Sequence, residues 1–168
     1  KDYSTDTKKR ALQLEATAHI AVQEMIDRGE GPVGITSPDA LCWIHDEFCS
    51  RLPEELLWVE NPDTGERIKI VPGKLRTGEV KVGSHFPPIA SSLPNFLKRF
   101  ESAYNPASLS GVRQVIAVAA SHHRLLWIHP FYDGNGRVTR LFSHGYLKHI
   151  GVGSSLWSVS RGLSRTSD

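Results

Sequence analysis

A ten-residue stretch reading IHPFYDGNGR gathers side chains that could carry out phosphate chemistry. His129 can accept a proton near neutral pH, because its unperturbed pKa is about 6.5. Asp133 is a hard oxygen ligand of the kind that Mg²⁺ takes together with phosphate oxygens and water. Residues 134–136 offer backbone N–H groups ahead of an expected helix, and Arg137 and Arg140 add two forked cations. These residue types predict a site for a Mg²⁺-bound nucleoside triphosphate.

Each piece of this stretch also has a commoner structural explanation. A lone histidine before a proline is more often structural than catalytic, and Asn-Gly or Asp-Gly pairs are frequent in hairpin turns. Two arginines three residues apart on a helix usually form a solvated face. The loop is not a Walker A motif, because it lacks the GxxxxGK[ST] spacing. The coincidence of all these features within a dozen residues favours the chemical interpretation.

The elements around this stretch are expected to be mostly helical. Apolar periodicity and helix start signals predict helices over 7–28, 37–50, 90–104, 110–127 and 135–149. Pro130 should end the fourth of these helices and leave His129 in an extended conformation. Segments 67–71 and 79–82 both alternate in polarity and are predicted to pair as a β-hairpin. The sequence therefore predicts a mainly α fold, with helix packed on helix.

Composition limits the class of protein. The chain has 168 residues, 39% of them hydrophobic and 23% charged, which is typical of one globular domain. A net charge of +2 gives no direct evidence for nucleic-acid binding, and no apolar run reaches membrane-spanning length. Two cysteines provide no disulfide framework, so we expect a reducing, cytoplasmic environment. The abrupt ends at Lys1 and Asp168 suggest a piece of a longer protein, and assembly into a homo-oligomer stays open.

The motif resembles the signature of the Fic family, HPFx[D/E]GNGRxxR, at every specified position from His129 to Arg140. Residues 76–88 resemble the flap of that family and the double proline after it. Residues 156–161, LWSVSR, resemble a segment that follows the motif helix in many members, so the similarity covers roughly residues 10–165. The resemblance implies a Fic-type helical bundle with a small β-hairpin flap. It would form one domain over 1–168, with an N-terminal helix region (1–35), a flap hairpin (66–88), and the motif helices and loop (110–150).

The resemblance also implies an activity, namely the transfer of AMP from Mg-ATP to a Ser, Thr or Tyr hydroxyl of a target protein. It makes His129 the general base and Asp133 the Mg²⁺ ligand, and it pairs the exposed edge of the flap with an extended target segment. Phosphorylating relatives carry Lys where Gly136 stands, which argues against kinase activity. The nucleotide-binding residues implied are Val82, Gly83, Ser84 and His85 of the flap, and Asp133, Gly134, Asn135, Gly136, Arg137, Val138, Thr139 and Arg140 of the motif. Within this set, Asn135 and Gly136 would hold the α-phosphate, and the two arginines the β- and γ-phosphates.

Two alternatives remain beside this activity. The chain could be a nucleotide-binding regulatory module without turnover, or it could transfer a different nucleotide. Many Fic proteins also inhibit themselves through an [S/T]xxxE[G/N] helix whose Glu pairs with the second motif arginine. In the first helix here, the nearest frame runs from Thr17 to Val22 and puts Ala21 where that Glu would stand. We expect a carboxylate introduced at position 21 to reach Arg140 if this frame applies.

Overall fold

The computed structural model of the chain describes residues 3–61 and 64–152. Five α-helices occur in this part: α1 (Thr7–Asp27), α2 (Pro38–Cys49), α3 (Leu93–Tyr104), α4 (Val112–Ile128) and α5 (Asn135–His149). Two short antiparallel strands, β1 (Trp58–Glu60) and β2 (Arg67–Lys69), lie between α2 and α3. The predicted mainly α fold is therefore confirmed, whereas the LWSVSR segment lies outside the described residues.

Helix α5 is the centre of the bundle. It packs against α1, α2 and α4, and α3 covers α4 from another side. The side chains of Val138, Leu141, Phe142 and Tyr146 are all fully buried along it. Their spacing of three or four residues gives one apolar stripe, which is the pattern that buries a helix against its neighbours. Because α5 begins within the motif, this packing fixes the position of the motif.

Helix α2 begins where its sequence indicates. Ser37 precedes Pro38, and the Oγ of Ser37 accepts a hydrogen bond from the N–H of Ala40. A side-chain acceptor at the cap and a proline in the first turn are both favourable there, because the first N–H groups have no partner within the helix. The helix then buries Leu41, Ile44 and Phe48 against the bundle.

The predicted pairing of segments 67–71 and 79–82 is wrong. Strand β2 pairs instead with β1, with Val59 opposite Ile68. The turn between them is closed by the N–H of Gly65, which donates to the carbonyl of Asn61. This local turn joins neighbouring segments, and the pairing of neighbours costs less loop-closure entropy than pairing across the proline and glycine that follow β2.

The segment 78–88, called the flap loop below, carries a turn of its own. Val82 and His85 exchange two backbone hydrogen bonds of 3.0 Å each, and Gly83 between them has a φ of +60°. Only glycine readily takes that conformation. No helix in the described part of the chain is long and apolar enough to cross a bilayer.

Candidate active site

His129 occupies the C-terminal cap of α4 in a left-handed conformation, with φ 49° and ψ 63°. The expected extended conformation is therefore wrong. The N–H of His129 still donates to the carbonyl of Leu125, so the last turn of α4 closes before the chain turns away. Among the described residues, His129 is the only one other than glycine with a positive φ. A non-glycine residue in this region is held there by its surroundings, and such residues are common at functional sites.

The loop after His129 is closed by its own side chains. Asn135 is buried, and its Oδ1 accepts from the N–H of Phe131 at 3.0 Å while its Nδ2 donates to the carbonyl of Phe131 at 2.9 Å. Gly134, with φ +78°, makes the turn into α5. The amide of Asn135 is thus committed to the shape of the loop, and its backbone N–H is the group left to meet a ligand at the start of α5.

His45 of α2 packs against the same loop. Its ring stacks on that of Phe131 at a centroid distance of 4.0 Å. Its Nδ1 accepts a hydrogen bond from the N–H of Gly73 at 3.0 Å, so the hydrogen of the neutral ring lies on Nε2, where it can donate to the carbonyl of Asp133. Burial lowers the pKa of His45 to about 4 and keeps the ring neutral. The motif loop therefore rests on an uncharged imidazole.

The imidazole of His129 is arranged as a proton acceptor. Its Nδ1 lies 3.3 Å from the carbonyl of Leu126, and because a carbonyl can only accept, that nitrogen carries the hydrogen and Nε2 keeps its lone pair. Burial lowers the pKa of His129, and the charges of Arg76 and His85 act in the same direction. The hydrogen bond to Leu126 and the Asp133 carboxylate oppose this shift. At neutral pH the ring is uncharged and can take a proton.

Asp133 lies at the mouth of the site, with its side chain 55% exposed. Its Oδ1 is 3.8 Å from Nη1 of Arg137. No group of three or more His, Cys, Asp or Glu side chains in residues 3–61 and 64–152 could hold a metal by itself. A single accessible carboxylate does suit Mg²⁺, which usually takes one or two protein carboxylates together with phosphate oxygens and water. The residues therefore fit Mg²⁺ only if phosphate oxygens and water supply its other ligands.

The two motif arginines meet residues of α1. Nη2 of Arg137 makes a short ion pair with Oε2 of Glu15. Arg140 is partly buried, and burial together with Arg137 lowers its pKa, while Glu15 raises it. Burial and the same two arginines lower the pKa of His19 to about 4. A cationic pocket that destabilises its own charges is electrostatically suited to an anion such as a triphosphate.

Position 21 does not share the face of α1 that meets the arginines. Glu15 and His19 are four residues apart and lie together on that face, whereas residue 21 is two positions from His19 and points elsewhere. Helix spacing thus argues against the Thr17 to Val22 frame, and the reach of a carboxylate at position 21 to Arg140 stays a conditional prediction. The carboxylate that reaches the motif is Glu15, two turns earlier.

Two motif residues face the core. Val138 and Thr139 are fully buried, so their side chains are not presented at the mouth of the site. Oγ1 of Thr139 is the one buried side-chain nitrogen or oxygen without a hydrogen-bond partner in the described part of the chain. Gly136 lies in the first turn of α5, where an added Cβ would come within 3.4 Å of Nη1 of Arg140. An added Cβ would therefore only touch the end of that flexible arginine.

The flap loop faces His129 across a cleft of about 330 Å³. Val82, Gly83 and Ser84 are exposed at its tip, while Nε2 of His85 lies 2.9 Å from the carbonyl of Trp127 and ties the tip to the end of α4. The cleft is lined by Val59, Glu60, Asn61, Ile68, Glu79, Val80, Lys81, Val82, Phe86, His129 and Tyr132. The small β1–β2 sheet therefore supplies its second wall.

The sequence did not reveal the individual roles of several residues of the site. Arg76, Tyr132, His45 and Glu15 act through contacts with distant residues, and a single sequence shows no spacing for such pairs. Tyr132 is an example: its hydroxyl accepts from the N–H of Gly78 at 2.7 Å and so holds the start of the flap loop. The tyrosine does lie within the motif, at its one unspecified position before Asp133, which is the only hint available.

His122 and His144 make contacts within the bundle, whereas His149 lies at its surface. His122 bonds Oγ of Ser143 at 2.8 Å, and His149 is exposed. His144 is buried, at 4% exposure, and its Nε2 lies 2.8 Å from Oδ1 of Asp27. This pair, with Lys148 on the carbonyls of Ile26 and Asp27, attaches the end of α1 to α5.

Known proteins resemble this chain in sequence. A family model described as the Fic/DOC family matches residues 35–147. The proteins named Protein adenylyltransferase Fic from Drosophila erecta and Drosophila melanogaster are each 39% identical over 79 residues, which is 47% of this chain and 16% of theirs. The matched segment thus spans about a sixth of the length of these relatives, and α1 lies outside the matched family model.

Solved structures share the fold at low sequence identity. A Fic family protein from Desulfovibrio desulfuricans G20 superimposes with a TM-score of 0.61 at 20% identity, covering 89% of this chain and 39% of that one. The Bartonella tribocorum effector BepC, solved with bound AMPPNP, gives a TM-score of 0.59 at 18% identity, covering 94% of this chain and 75% of that one. Both likenesses cover most of this chain and show that it shares their fold.

Proposed function

Because the chain belongs to the Fic/DOC family, we propose that it transfers AMP from Mg-ATP to a hydroxyl side chain of a target protein. The observation that carries this proposal is the state of His129. Its Nδ1 is held by a backbone carbonyl, its Nε2 is free of that bond, and it lies beside both a cleft and a helix N-terminus. The name of the Drosophila relatives supports the same reaction.

The reaction requires four contributions from the chain. Nε2 of His129 accepts the proton of the acceptor hydroxyl while the oxygen forms a bond to the α-phosphorus. The bond from the α-phosphorus to the bridging oxygen then breaks, and pyrophosphate leaves with both electrons. The N–H groups of Asn135 and Gly136 hold the α-phosphate, and Arg137 and Arg140 stabilise the charge on the leaving pyrophosphate. Asp133 would hold Mg²⁺, which would supply positive charge to neutralise the triphosphate.

The acceptor side chain enters through the cleft beside the flap loop. His129 and Tyr132 line its floor, and Val59, Ile68 and Val82 give it apolar walls. Backbone groups of the flap loop can pair with an extended target segment by β-augmentation, because the loop has an exposed edge. The target would thus be fixed by its main chain on one side and by a side chain in the cleft on the other.

A second function has one observation in its favour. The ion pair between Glu15 and Arg137 engages a cation that the triphosphate would need. A module that binds nucleotide without turnover, or that turns over slowly, would be consistent with this contact. Transfer of a nucleotide other than AMP is also compatible with the motif, because no base-recognising residue follows from it.

The test is the transfer of label to protein from nucleoside triphosphates that differ in the labelled phosphate and in the base. The chain is incubated with Mg²⁺, a cell lysate, and ATP labelled on either the α- or the γ-phosphate, with α-labelled CTP, GTP and UTP in parallel. Only protein-bound label that depends on the added chain is informative, because lysate kinases transfer γ-label in its absence. We expect such label from α-labelled ATP alone. Chain-dependent label from γ-labelled ATP would indicate phosphorylation instead. If the parent and Glu15→Gln both bind nucleotide but transfer no label, the chain would be a regulatory module without turnover.

A further inference from the structure

Arg76 joins the flap loop to the residue that carries the base. It is 2% exposed, and its three guanidinium nitrogens reach three different carbonyls. Nε donates to His129 at 2.8 Å, Nη1 to Gly78 at 3.0 Å, and Nη2 to Pro88 at 2.5 Å. Gly78 and Pro88 are the two ends of the flap loop. One side chain therefore holds both ends of that loop against His129.

The backbone of Arg76 adds a fourth contact. Its N–H donates to the carbonyl of Pro130 at 3.0 Å, so Arg76 meets both His129 and the residue after it. His129 is the residue in the left-handed conformation described above, and a side chain in that conformation needs external contacts to stay there. The contacts of Arg76 are placed to supply them.

We propose that Arg76 is a positioning residue, which fixes the position of the flap loop relative to the base His129. An acceptor segment paired with the flap loop then presents its hydroxyl at Nε2 of His129. This inference rests on the proposed function, since it assigns Arg76 a part in the same reaction. Because Arg76 is buried, it would act through His129 and the flap loop and not on the reacting atoms.

The chemistry of the position favours arginine for this role. The planar guanidinium presents donors in fixed directions, which suits three carbonyls at once, whereas the lysine ammonium is a compact point charge. The nearest carboxylate, that of Glu79, lies 3.8 Å from Nη1 and is 64% exposed, and its Oε1 accepts from the N–H of Ala90. The buried charge is thus compensated mainly by carbonyl dipoles. A lysine at position 76 could not make the same three hydrogen bonds, so we expect the substitution to disturb this arrangement.

A purely structural role would predict a different response to substitution. If Arg76 only stabilised the fold, its substitution would lower stability as the loss of any other buried hydrogen bond does, with no selective effect on the rate of transfer. Tyr146→Phe is the matched control, because it removes a buried hydroxyl that donates to the carbonyl of Tyr104 away from the site. If Arg76 positions the base, its loss should lower the rate of transfer with nucleotide binding nearly unchanged.

The experiment uses Arg76→Lys, with three measurements on each variant. These are the initial rate of AMP transfer to lysate proteins at saturating Mg-ATP, the Kd for AMPPNP, and amide hydrogen exchange. We expect the rate to fall about 100-fold, because a misplacement of about 1 Å can cost that much. The Kd should stay within about twofold, and exchange at Val82 and His85 should rise more than exchange along α5. Tyr146→Phe should keep the parent rate.

Gly78→Ala is the second variant, in case Arg76→Lys does not fold. It keeps the buried charge but brings a Cβ to 2.9 Å from the hydroxyl of Tyr132, which displaces one end of the flap loop. We expect the same loss of rate with AMPPNP binding kept. The inference is overturned if either variant folds and transfers AMP at the parent rate, or if rate and AMPPNP binding fall together with a uniform rise in exchange.

Failure of the proposed function would look different. If the parent chain itself transfers no AMP, that function is rejected by the parent alone. The positioning role is then decided by exchange in Arg76→Lys, since a selective rise in the flap loop supports it and an unchanged flap loop overturns it.

Discussion

Glu15 of α1 and Arg137 of α5 form an ion pair between residues 122 positions apart in the chain. Both side chains are less than a third exposed. The pair brings a helix outside the matched family model into contact with the motif, and it sets a carboxylate where we propose that a phosphate binds.

Glu15→Gln should strengthen nucleotide binding. The substitution removes the charge that competes for Arg137, and pairs of this exposure are typically worth about 1 kcal/mol, or about fivefold in affinity. Titration of AMPPNP in Mg²⁺ measures the change. Glu24→Gln on the exposed side of α1 and Ala21→Glu are the controls, and both should match the parent. Equal affinity in Glu15→Gln and the parent would show that the pair does not compete with nucleotide.

His129→Asn should abolish most AMP transfer while leaving AMPPNP binding nearly intact. Asparagine tolerates the left-handed conformation, so the backbone is kept while the base is removed. A general base contributes roughly 10²- to 10⁴-fold to the rate and little to ground-state affinity. Initial rates of label transfer test this. A variant that transfers AMP nearly as fast as the parent would remove His129 from the mechanism.

The pH dependence of transfer should show an acid limb below the ordinary pKa of histidine. The base must be unprotonated, and burial, with help from Arg76 and His85, lowers the pKa of His129. Activity should therefore persist as the pH falls through 6.5 and be lost only at lower pH. Transfer rates at saturating Mg-ATP across pH 4.5–8 measure the midpoint, which we expect on the acid side of about 6.5. A midpoint above that value would contradict the assignment.

Asp133→Asn should weaken nucleotide binding only in the presence of Mg²⁺. The amide keeps the shape of the side chain but lacks the charge that a Mg²⁺ ligand supplies. AMPPNP affinity measured with Mg²⁺ and with a chelator separates the two conditions. If the variant binds Mg-AMPPNP as tightly as the parent does, Asp133 is not the ligand.

Local sequence patterns predicted the helices well, because the signals that start and bury them are close along the chain. Ser37 and Pro38 mark the start of α2, and the apolar stripe of α5 predicts its burial. The strand pairing failed because alternation alone does not choose a partner, whereas the turn at Asn61 to Gly65 does.

The site was predicted only in part. Residues close together in sequence were identified, whereas contacts between distant residues were not. The motif nominates His129, Asp133 and the arginines because they are near one another in sequence. The conformation of His129 did not follow from Pro130, and its contact with Arg76 joins residues 53 positions apart, which no local pattern shows. Glu15 could not be found either, because an ion pair between distant helices leaves no spacing in a single chain.

The two ends of the flap loop meet at one guanidinium, so the loop is mechanically a closed ring. A change of length within a ring whose ends are fixed is absorbed by the ring and does not displace what lies beyond its ends. Residues inserted between Gly83 and Ser84 would lengthen the exposed tip and leave His129 in place. The tip is therefore where we expect this chain to tolerate a change of length without displacement of His129.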